Sequence, residues 1–451
     1  MQNYKKQVLI SLTMPLMESL SGVRGVYNID LTDKVASNYA KAYYSYLSKK
    51  NVKIVIGTDT RSSNINLKKV IINTLNCHII DLGTASTPMT ELAVRHFQAQ
   101  GGIIVTASHN PPEHNGFKFL SNTGSVLSES EMNKVIDNYR NNNFIDSTQE
   151  KVVENKDIKQ IYYEFVKDII NQKFDNVKIV VDPNGGTAIH SIELLKNLGI
   201  EIIEINTELG TFKRTIEPNK ESLSYLREII NENNADFAVG FDCDADRAEI
   251  LLKDGTIVSG NELLALSCYY YLQTKENQLI VVNDATSYVV KEVVEKFNSK
   301  TIETGVGEAN VVEEMYDNNS ILGGEGSSSG VIIPPSRCRD GTLSLLTILS
   351  LMKKENKTIE ELISLLPKYY TITKKLILKK PFQEIKNKIL EHYKDIKSHS
   401  DSIKIKLSET SFIWLRQSKT EANLLRIIAD SKDPEISKKL IEELNNILTL
   451  Q

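Results

Sequence analysis

Apolar and polar positions along this chain fall into one pattern that recurs three times. "VKIVIGTD" (52–59) is a Val/Ile run ending in an acid. "NLKKVIINTLN" (66–76) carries apolar residues at three- and four-residue spacing, and "CHIIDLGTA" (77–85) is a second apolar run. The order returns in "VKIVVDPNGG", "AIHSIELLKNLG" and "IEIIEINTE" (177–208), and again in "NQLIVVNDATS", "YVVKEVVEKFN" and "KTIETGVG" (277–307). Short Val/Ile runs predict buried strands, and the three–four spacing predicts amphipathic helices. Each segment therefore predicts strand, helix, strand with parallel pairing, since a helical crossover returns the chain in the same direction. The recurrence interval is roughly 100 residues or more, which means repeated domains rather than turns of a solenoid.

Beyond about residue 365 the pattern changes. "DSIKIKLSETSFIWLRQS" and "NLLRIIAD" predict strands, and "PEISKKLIEELNNILTL" predicts an amphipathic helix. The expected fold class is α/β: three similar βαβ-containing domains and a smaller C-terminal α+β domain. The expected boundaries are 1–150, 151–249, 250–365 and 366–451, the first marked by the polar stretch "RNNNFIDSTQEKVVENKD".

Composition narrows the function classes. The 451 residues are 41% hydrophobic and 25% charged, with a formal net charge of -4. That balance is ordinary for a soluble globular chain and argues against broad nucleic-acid binding. No apolar run is long enough to span a bilayer. The N-terminal "MQNYKKQVLISLTMPLME" resembles a signal peptide only until Ser11, Thr13 and Pro15 interrupt it, and reads as a frayed start to a first strand. Cys77, Cys243, Cys268 and Cys338 form no C-x-x-C pair, so zinc and redox motifs find no support. Reduced thiols in a cytoplasmic protein are the expectation.

Five stretches carry candidate chemistry. In "TASHNPPEHNGFK" (106–118) a buried strand, "GGIIVT", runs into a Pro-Pro pair that forbids helix. Ser108 is thus placed on a stiff loop at a strand end, where open α/β sheets bind ligands; on composition alone the stretch reads equally as a polar turn. In "GFDCDADRAEI", Asp242, Asp244 and Asp246 stand at every second residue, which on extended backbone puts them on one face. Three carboxylates on one face repel unless a cation lies between them, and hard oxygen ligands suit Mg²⁺ or Ca²⁺. An EF-hand is excluded because Arg247 and Lys253 occupy the positions that need Gly and Glu. Three protein ligands leave room for a phosphate oxygen, as at a phosphoryl-transfer metal site.

"GGEGSSSG" (323–330) combines close-approach glycines with Glu325 and serines able to bond hydroxyls, although a linker has the same composition. "RQSKTEANLLR" offers Arg416, Ser418, Lys419, Thr420 and Arg426, a set suited to a dianionic phosphate monoester or to an exposed polar turn. "SGVRG" places Arg24 between two glycines.

Taken in this order, from "SGVRG" to "NLLRI", the motifs resemble the α-D-phosphohexomutase superfamily. The resemblance implies four domains around a central cleft, which agrees with the recurrence read above. It implies that Ser108 is a phosphoserine that passes its phosphoryl group to a sugar phosphate. One Mg²⁺ per chain would lie on Asp242, Asp244 and Asp246 with the Ser108 phosphoryl group. A bisphosphosugar forms, turns around, and returns its other phosphate; the same compound serves as activator. His109 and Lys118 would supply hydrogen bonds and positive charge, and Arg247 and Arg24 would order the site. His109, Lys118 and Arg247 are all candidates for proton transfer. Glu325 and Ser327 would bind sugar hydroxyls, and Arg416, Ser418, Lys419, Thr420 and Arg426 the non-reacting phosphate. Three positions depart from the family pattern. Cys243 stands where Pro or Gly is usual, "GEGSSSG" lacks a His, and "TEAN" lacks a Pro.

"TGVGEANVVEEM" and "GEG" are most similar to phosphoglucosamine mutases, with phosphoglucomutase/phosphomannomutases as the alternative. A small-molecule sugar phosphate is the implied partner, with no nucleic acid and no membrane, and the chain a monomer or homodimer. A catalytically silent sugar-phosphate binder and a phosphatase are the competing classes. The intact serine and costly clustered charge argue against the first.

Overall fold

The computed structural model describes residues 16–19, 22–47, 51–378, 380–399, 401–417 and 424–449. The chain forms two compact units. The first takes residues up to Ser259 together with Ser329–Thr358, and the second takes Gly260–Ser328 and the chain from Ile359 on. The chain therefore crosses between units three times.

The first unit holds two sheets. One is built from β1 (Met17–Ser19), β2 (Gly22–Val26), β3 (Lys53–Thr58), β4 (His78–Thr84), β5 (Gly101–Val105), β6 (His114–Leu120) and β7 (Val152–Asn155), in the order β1-β2-β6-β5-β3-β4-β7. β3 pairs in parallel with β4 and β5, as the first strand–helix–strand segment predicts, while β6, β2 and β1 extend the sheet antiparallel. The run Ile54–Ile56 is buried on both faces, and the helix Asp33–Leu47 covers one of them with Tyr39 and Tyr43. Burying each such aliphatic side chain contributes about 1.5–3 kcal/mol.

The second sheet has β8 (Lys178–Asp182), β9 (Glu201–Glu204), β10 (Phe237–Phe241), β11 (Ala248–Leu251) and β12 (Ile257–Val258), in the order β12-β11-β10-β8-β9. β8 pairs in parallel with β9 and β10; β10 and β11 form an antiparallel hairpin in which Phe241 faces Ala248. Residues 329–358 supply a short strand β16 (Val331–Ile332), which is not part of this sheet and is bridged by Val331 to Asp340, and the helix Gly341–Glu355.

In the second unit, β13 (Leu279–Asn283) pairs in parallel with β14 (Lys300–Thr304) and β15 (Leu322–Gly324), the third use of the repeated pattern. The C-terminal part is an antiparallel sheet of β17 (Tyr370–Ile377), β18 (Ile396–Ser398), β19 (Ser402–Ser408), β20 (Ser411–Gln417) and β21 (Leu424–Ser431), in the order β17-β21-β20-β19-β18. Helices Phe382–His392 and Pro434–Thr449 pack on it; Ile389, Ile441 and Leu444 bury against Ile403, Leu415 and Ile427. This is the α+β tail expected from the sequence. No helix among the described residues is long and apolar enough to cross a membrane.

Candidate active site

The serine loop leaves β5 after Val105 and enters β6 at His114. Ser108 takes a φ of 50°, a left-handed conformation that costs an L-residue roughly 1–2 kcal/mol and persists only when its surroundings impose it. The imposing groups are two buried residues at the end of β3. Arg61 donates Nη2 to the carbonyls of Ser108 (2.6 Å) and Asn110 (2.8 Å), and Nη1 to that of Pro111 (2.7 Å). Its Nε rests on Asp59 Oδ2 at 3.0 Å. Thr106 donates to the same Asp59 oxygen (2.7 Å) and accepts the Ser108 amide (2.8 Å). The serine loop is thus strapped to the first strand-end aspartate by a fully buried guanidinium.

Ser108 Oγ donates to Asp242 Oδ2 at 3.0 Å, and so the serine and metal motifs meet. Asp242, Asp244 and Asp246 lie in the connection between β10 and β11, and each offers a carboxylate oxygen within 4.8 Å of the others. The sequence expectation of extended backbone is corrected here. Residues 242–247 form a turn, not a strand, and Ala245 sits at a φ of 56°. The carboxylates converge because the chain folds back between them, not because a strand alternates.

Two of the triad's carboxylates are held on one oxygen only. Asp244 Oδ2 accepts from Thr87 Oγ1 (2.6 Å) and Lys118 Nζ (2.6 Å); Asp246 Oδ2 accepts from Lys118 Nζ (3.0 Å) and Arg339 Nη2 (3.3 Å). Oδ1 of Asp244 and Oδ1 of Asp246 are buried and make no hydrogen bond. Burial, then the neighbouring Asp246 and Asp244, pushes the Asp242 carboxyl well above its usual range. A buried acceptor pair without donors beside a third carboxylate fits a hard divalent cation such as Mg²⁺.

The surrounding cations come from neighbouring strands. Lys118 is on β6. Arg24 lies opposite Gly116 on β2 and donates to Asn110 Oδ1 at 2.7 Å. Arg247 follows the triad, with its amide on Asp242 Oδ1 at 3.3 Å and its side chain near Asp246. His109 Nδ1 is 3.5 Å from Ser108 Oγ. Arg247, then burial and Arg24, drives its pKa far below the usual imidazole value. That shift favours the uncharged imidazole, while Lys118 places its ammonium on Asp244 and Asp246. Cys243, at the position where Pro or Gly was expected, is buried; its carbonyl accepts the Thr187 amide and hydroxyl (2.9 and 3.0 Å), and burial pushes its thiol up.

The remaining candidates lie in the second unit. The "GGEGSSSG" stretch is an ordered turn after β15 rather than a linker. Glu325 Oε1 accepts from Asn283 Nδ2 (3.0 Å) and the Gly307 amide (2.9 Å), and Ser327 Oγ lies 3.4 Å from Asn283 Nδ2. A Cβ on Gly326 would fall 2.0 Å from Asn261 Oδ1, so a larger residue would displace the Asn261 side chain, which accepts the Ser287 amide. Arg416 and Arg426 are direct partners across β20 and β21, and Asp401 Oδ2 accepts Arg416 Nε at 2.9 Å. Ser418, Lys419 and Thr420 lie outside the described residues.

Sequence reasoning brought together Ser108, His109, Lys118, Arg24, Arg247 and the three aspartates, all of which the first unit assembles. It missed Arg61, Asp59, Thr106, Thr87, Arg339 and Asp401. A charged pair, Asp59 and Arg61, directly after a strand with a buried Ile-Val-Ile run was the signal available for the first two.

The chain matches three domains described as phosphoglucomutase/phosphomannomutase α/β/α domains: domain I over residues 18–146, domain II over 160–255 and domain III over 259–369. It is 32% identical to a phosphoglucomutase/phosphomannomutase of Thermococcus kodakarensis, over 93% of this chain and 96% of that one. It is 30% identical to a phosphoglucosamine/phosphogalactosamine mutase of Sulfurisphaera tokodaii, over 95% of this chain and 98% of that one. A crystal structure of a phosphoglucomutase/phosphomannomutase family protein from Burkholderia thailandensis shares the fold, with a TM-score of 0.85 at 21% identity, covering 98% and 97% of the two chains. The chain belongs to the phosphoglucomutase/phosphomannomutase family of the α-D-phosphohexomutase superfamily, and is a phosphohexomutase.

Proposed function

We propose that the enzyme interconverts the 6- and 1-phosphates of a hexosamine, glucosamine phosphate first among them, through a phosphoserine at Ser108 and a bisphosphosugar. The observation that carries the chemistry is the Ser108 hydroxyl bonded to a buried carboxylate triad. In the forward step the Ser108 Oγ–P bond breaks as an O–P bond to a sugar hydroxyl forms, and the hydroxyl proton passes in net to Ser108 Oγ; after the sugar turns around, its other O–P bond breaks, the phosphoryl group returns to Ser108 Oγ and the proton goes to the sugar oxygen. Transfer of this kind depends on in-line positioning more than on covalent help from the protein. Arg61, Asp59 and Thr106 supply that positioning by fixing the loop. Lys118 and Arg24 supply charge, and neutral His109 an orienting hydrogen bond.

Asp242, Asp244 and Asp246 would hold Mg²⁺, which when bound neutralises charge on the phosphoryl oxygens. In the second unit, Glu325 and Ser327 bind sugar hydroxyls. Arg416 and Arg426, with Ser418, Lys419 and Thr420, take the non-reacting phosphate as a bidentate clamp. A bisphosphosugar restores any enzyme that has lost its phosphate.

The hexosamine assignment rests on "TGVGEANVVEEM" and on the Sulfurisphaera relative. A glucose or mannose phosphate is the second reading, favoured by the Thermococcus relative. Coupled assays on the 1-phosphates of glucosamine, N-acetylglucosamine, glucose and mannose, with Mg²⁺ and with excess chelator, separate them. The expected result is fastest turnover of glucosamine phosphate and none in chelator. A clear preference for glucose or mannose 1-phosphate moves the assignment to the second reading. Steady release of inorganic phosphate without isomer formation would replace the mutase with a phosphatase.

A further inference from the structure

We infer that Arg339 is a positioning residue of the triad, holding the outer oxygen of Asp246 so that its inner oxygen faces the cation. This rests on the triad being a divalent-cation site. The division of labour between the two oxygens is the starting point. In Asp244 and in Asp246 alike, Oδ2 is bonded to protein donors while buried Oδ1 has none. Lys118 serves both carboxylates. Thr87 completes the hold on Asp244 from the start of the helix Thr87–His96, and Arg339 completes the hold on Asp246. Arg247 Nε stands 3.7 Å from Asp246 Oδ1, beyond hydrogen-bond reach. A carboxylate with only one fixed donor can swing about its Cβ–Cγ bond; a second donor on the same oxygen stops that motion. Ligating carboxylates are generally oriented by such outer partners, whose loss weakens metal binding about ten- to a hundredfold.

Arg339 is itself immobilised. It is 7% exposed. Its neighbour Asp340 accepts from Tyr162 Oη at 2.9 and 3.0 Å, caps the helix Gly341–Glu355 through the Leu343 amide, and donates its own amide to the Val331 carbonyl. Both ends of the segment from 329 to 341 are tied to the chain at and just after the aspartate loop. The Ala248 amide bonds the Ser329 carbonyl (3.3 Å) and the Gly341 amide bonds the Ala245 carbonyl (3.2 Å). Approach is so close that a Cβ on Gly330 would lie 2.7 Å from the Asp246 carbonyl oxygen.

The test is Mn²⁺ binding to the full chain by titration calorimetry, with Mn²⁺ as a hard-cation probe, in wild type, Arg339→Gln, Arg339→Lys and Asp244→Asn. Arg339→Gln is expected to bind Mn²⁺ about tenfold or more weakly. Arg339→Lys should recover part of the loss, since it keeps the charge without the planar fork. At saturating Mg²⁺ the KM for sugar phosphate should stay near wild type, whereas the Mg²⁺ concentration for half-activation should rise with the Mn²⁺ Kd. A folded Arg339→Gln that binds Mn²⁺ as tightly as wild type overturns the inference. If that variant does not fold, Arg339→Lys decides: binding equal to wild type overturns it, weaker binding supports it. If Asp244→Asn also binds normally, the triad is not the cation site, and the reading beneath the inference falls with it.

Discussion

Ser108 owes its position to Arg61, which bonds the carbonyls of the serine loop. Among the described residues, twelve of the non-glycine residues with positive φ are asparagines; Ser108, Ala245 and Gln98 are the others, and the first two lie on the two loops that meet where Ser108 bonds Asp242. Arg61 spans three carbonyls of the serine loop, and a lysine cannot reproduce that fork. Arg61→Lys should therefore lower stability by roughly 1.5–3 kcal/mol, seen in urea denaturation. It should cut kcat more than tenfold with KM little changed; unchanged kcat would show that the strap does not set the loop.

Glu249 makes a second residue-scale prediction. It bonds Ser329, and burial pushes its carboxyl up to about 7. The folded state thus holds this proton more tightly than the unfolded chain does. At pH 4.5 and below the group costs little. As pH rises towards 7 the unfolded state ionises first and stability falls; above 7 the full cost stands. Glu249→Gln keeps a hydrogen-bonding side chain without the charge. It should match wild type near pH 4.5 and exceed it by up to about 3 kcal/mol at pH 8. A pH-independent difference in denaturation midpoint would contradict this.

At the scale of elements, legibility followed periodicity. The three strand–helix–strand segments read correctly because the first strand of each is a buried Val/Ile run and the helices have one apolar face. The helix Gly341–Glu355 gave no such signal. Residues 341–351 are buried on every side, so no polar face marks the period. The antiparallel extension through β6, β2 and β1 was also illegible, since it hangs on the β2–β6 pairing, which joins strands about 90 residues apart in sequence. In the aspartate loop the three carboxylates do converge, but by another geometry: spacing of two suggested a strand, and the chain instead makes a hairpin turn through Ala245. That turn can be tested. A left-handed Ala costs roughly 1–2 kcal/mol, a β-branched residue more. Ala245→Gly should be as stable as wild type or up to about 1 kcal/mol more so, because relief of strain is partly offset by a floppier unfolded chain. Ala245→Val should lose about 2 kcal/mol or more and bind Mn²⁺ weakly. A valine variant of wild-type stability would show that the loop does not need this conformation.

For the whole molecule, the division of labour runs along the two units. The first carries the serine, the triad and their cations, while the second carries Glu325, Ser327, Arg416 and Arg426. The sequence showed neither this split nor the return of residues 329–358 to the first unit, because chain crossings leave no periodic trace. The central claim is that one phosphate per chain moves between Ser108 and sugar. Its most direct test is intact-mass and peptide analysis of the enzyme after incubation with a hexose 1,6-bisphosphate, then after a chase with sugar monophosphate. The account predicts an acid-stable increment of one phosphate on the peptide containing Ser108, absent in Ser108→Ala and discharged to bisphosphosugar by the chase. A phosphate mapped to another residue, or an Ser108→Ala enzyme that isomerises sugar phosphate at near wild-type rate, would contradict it.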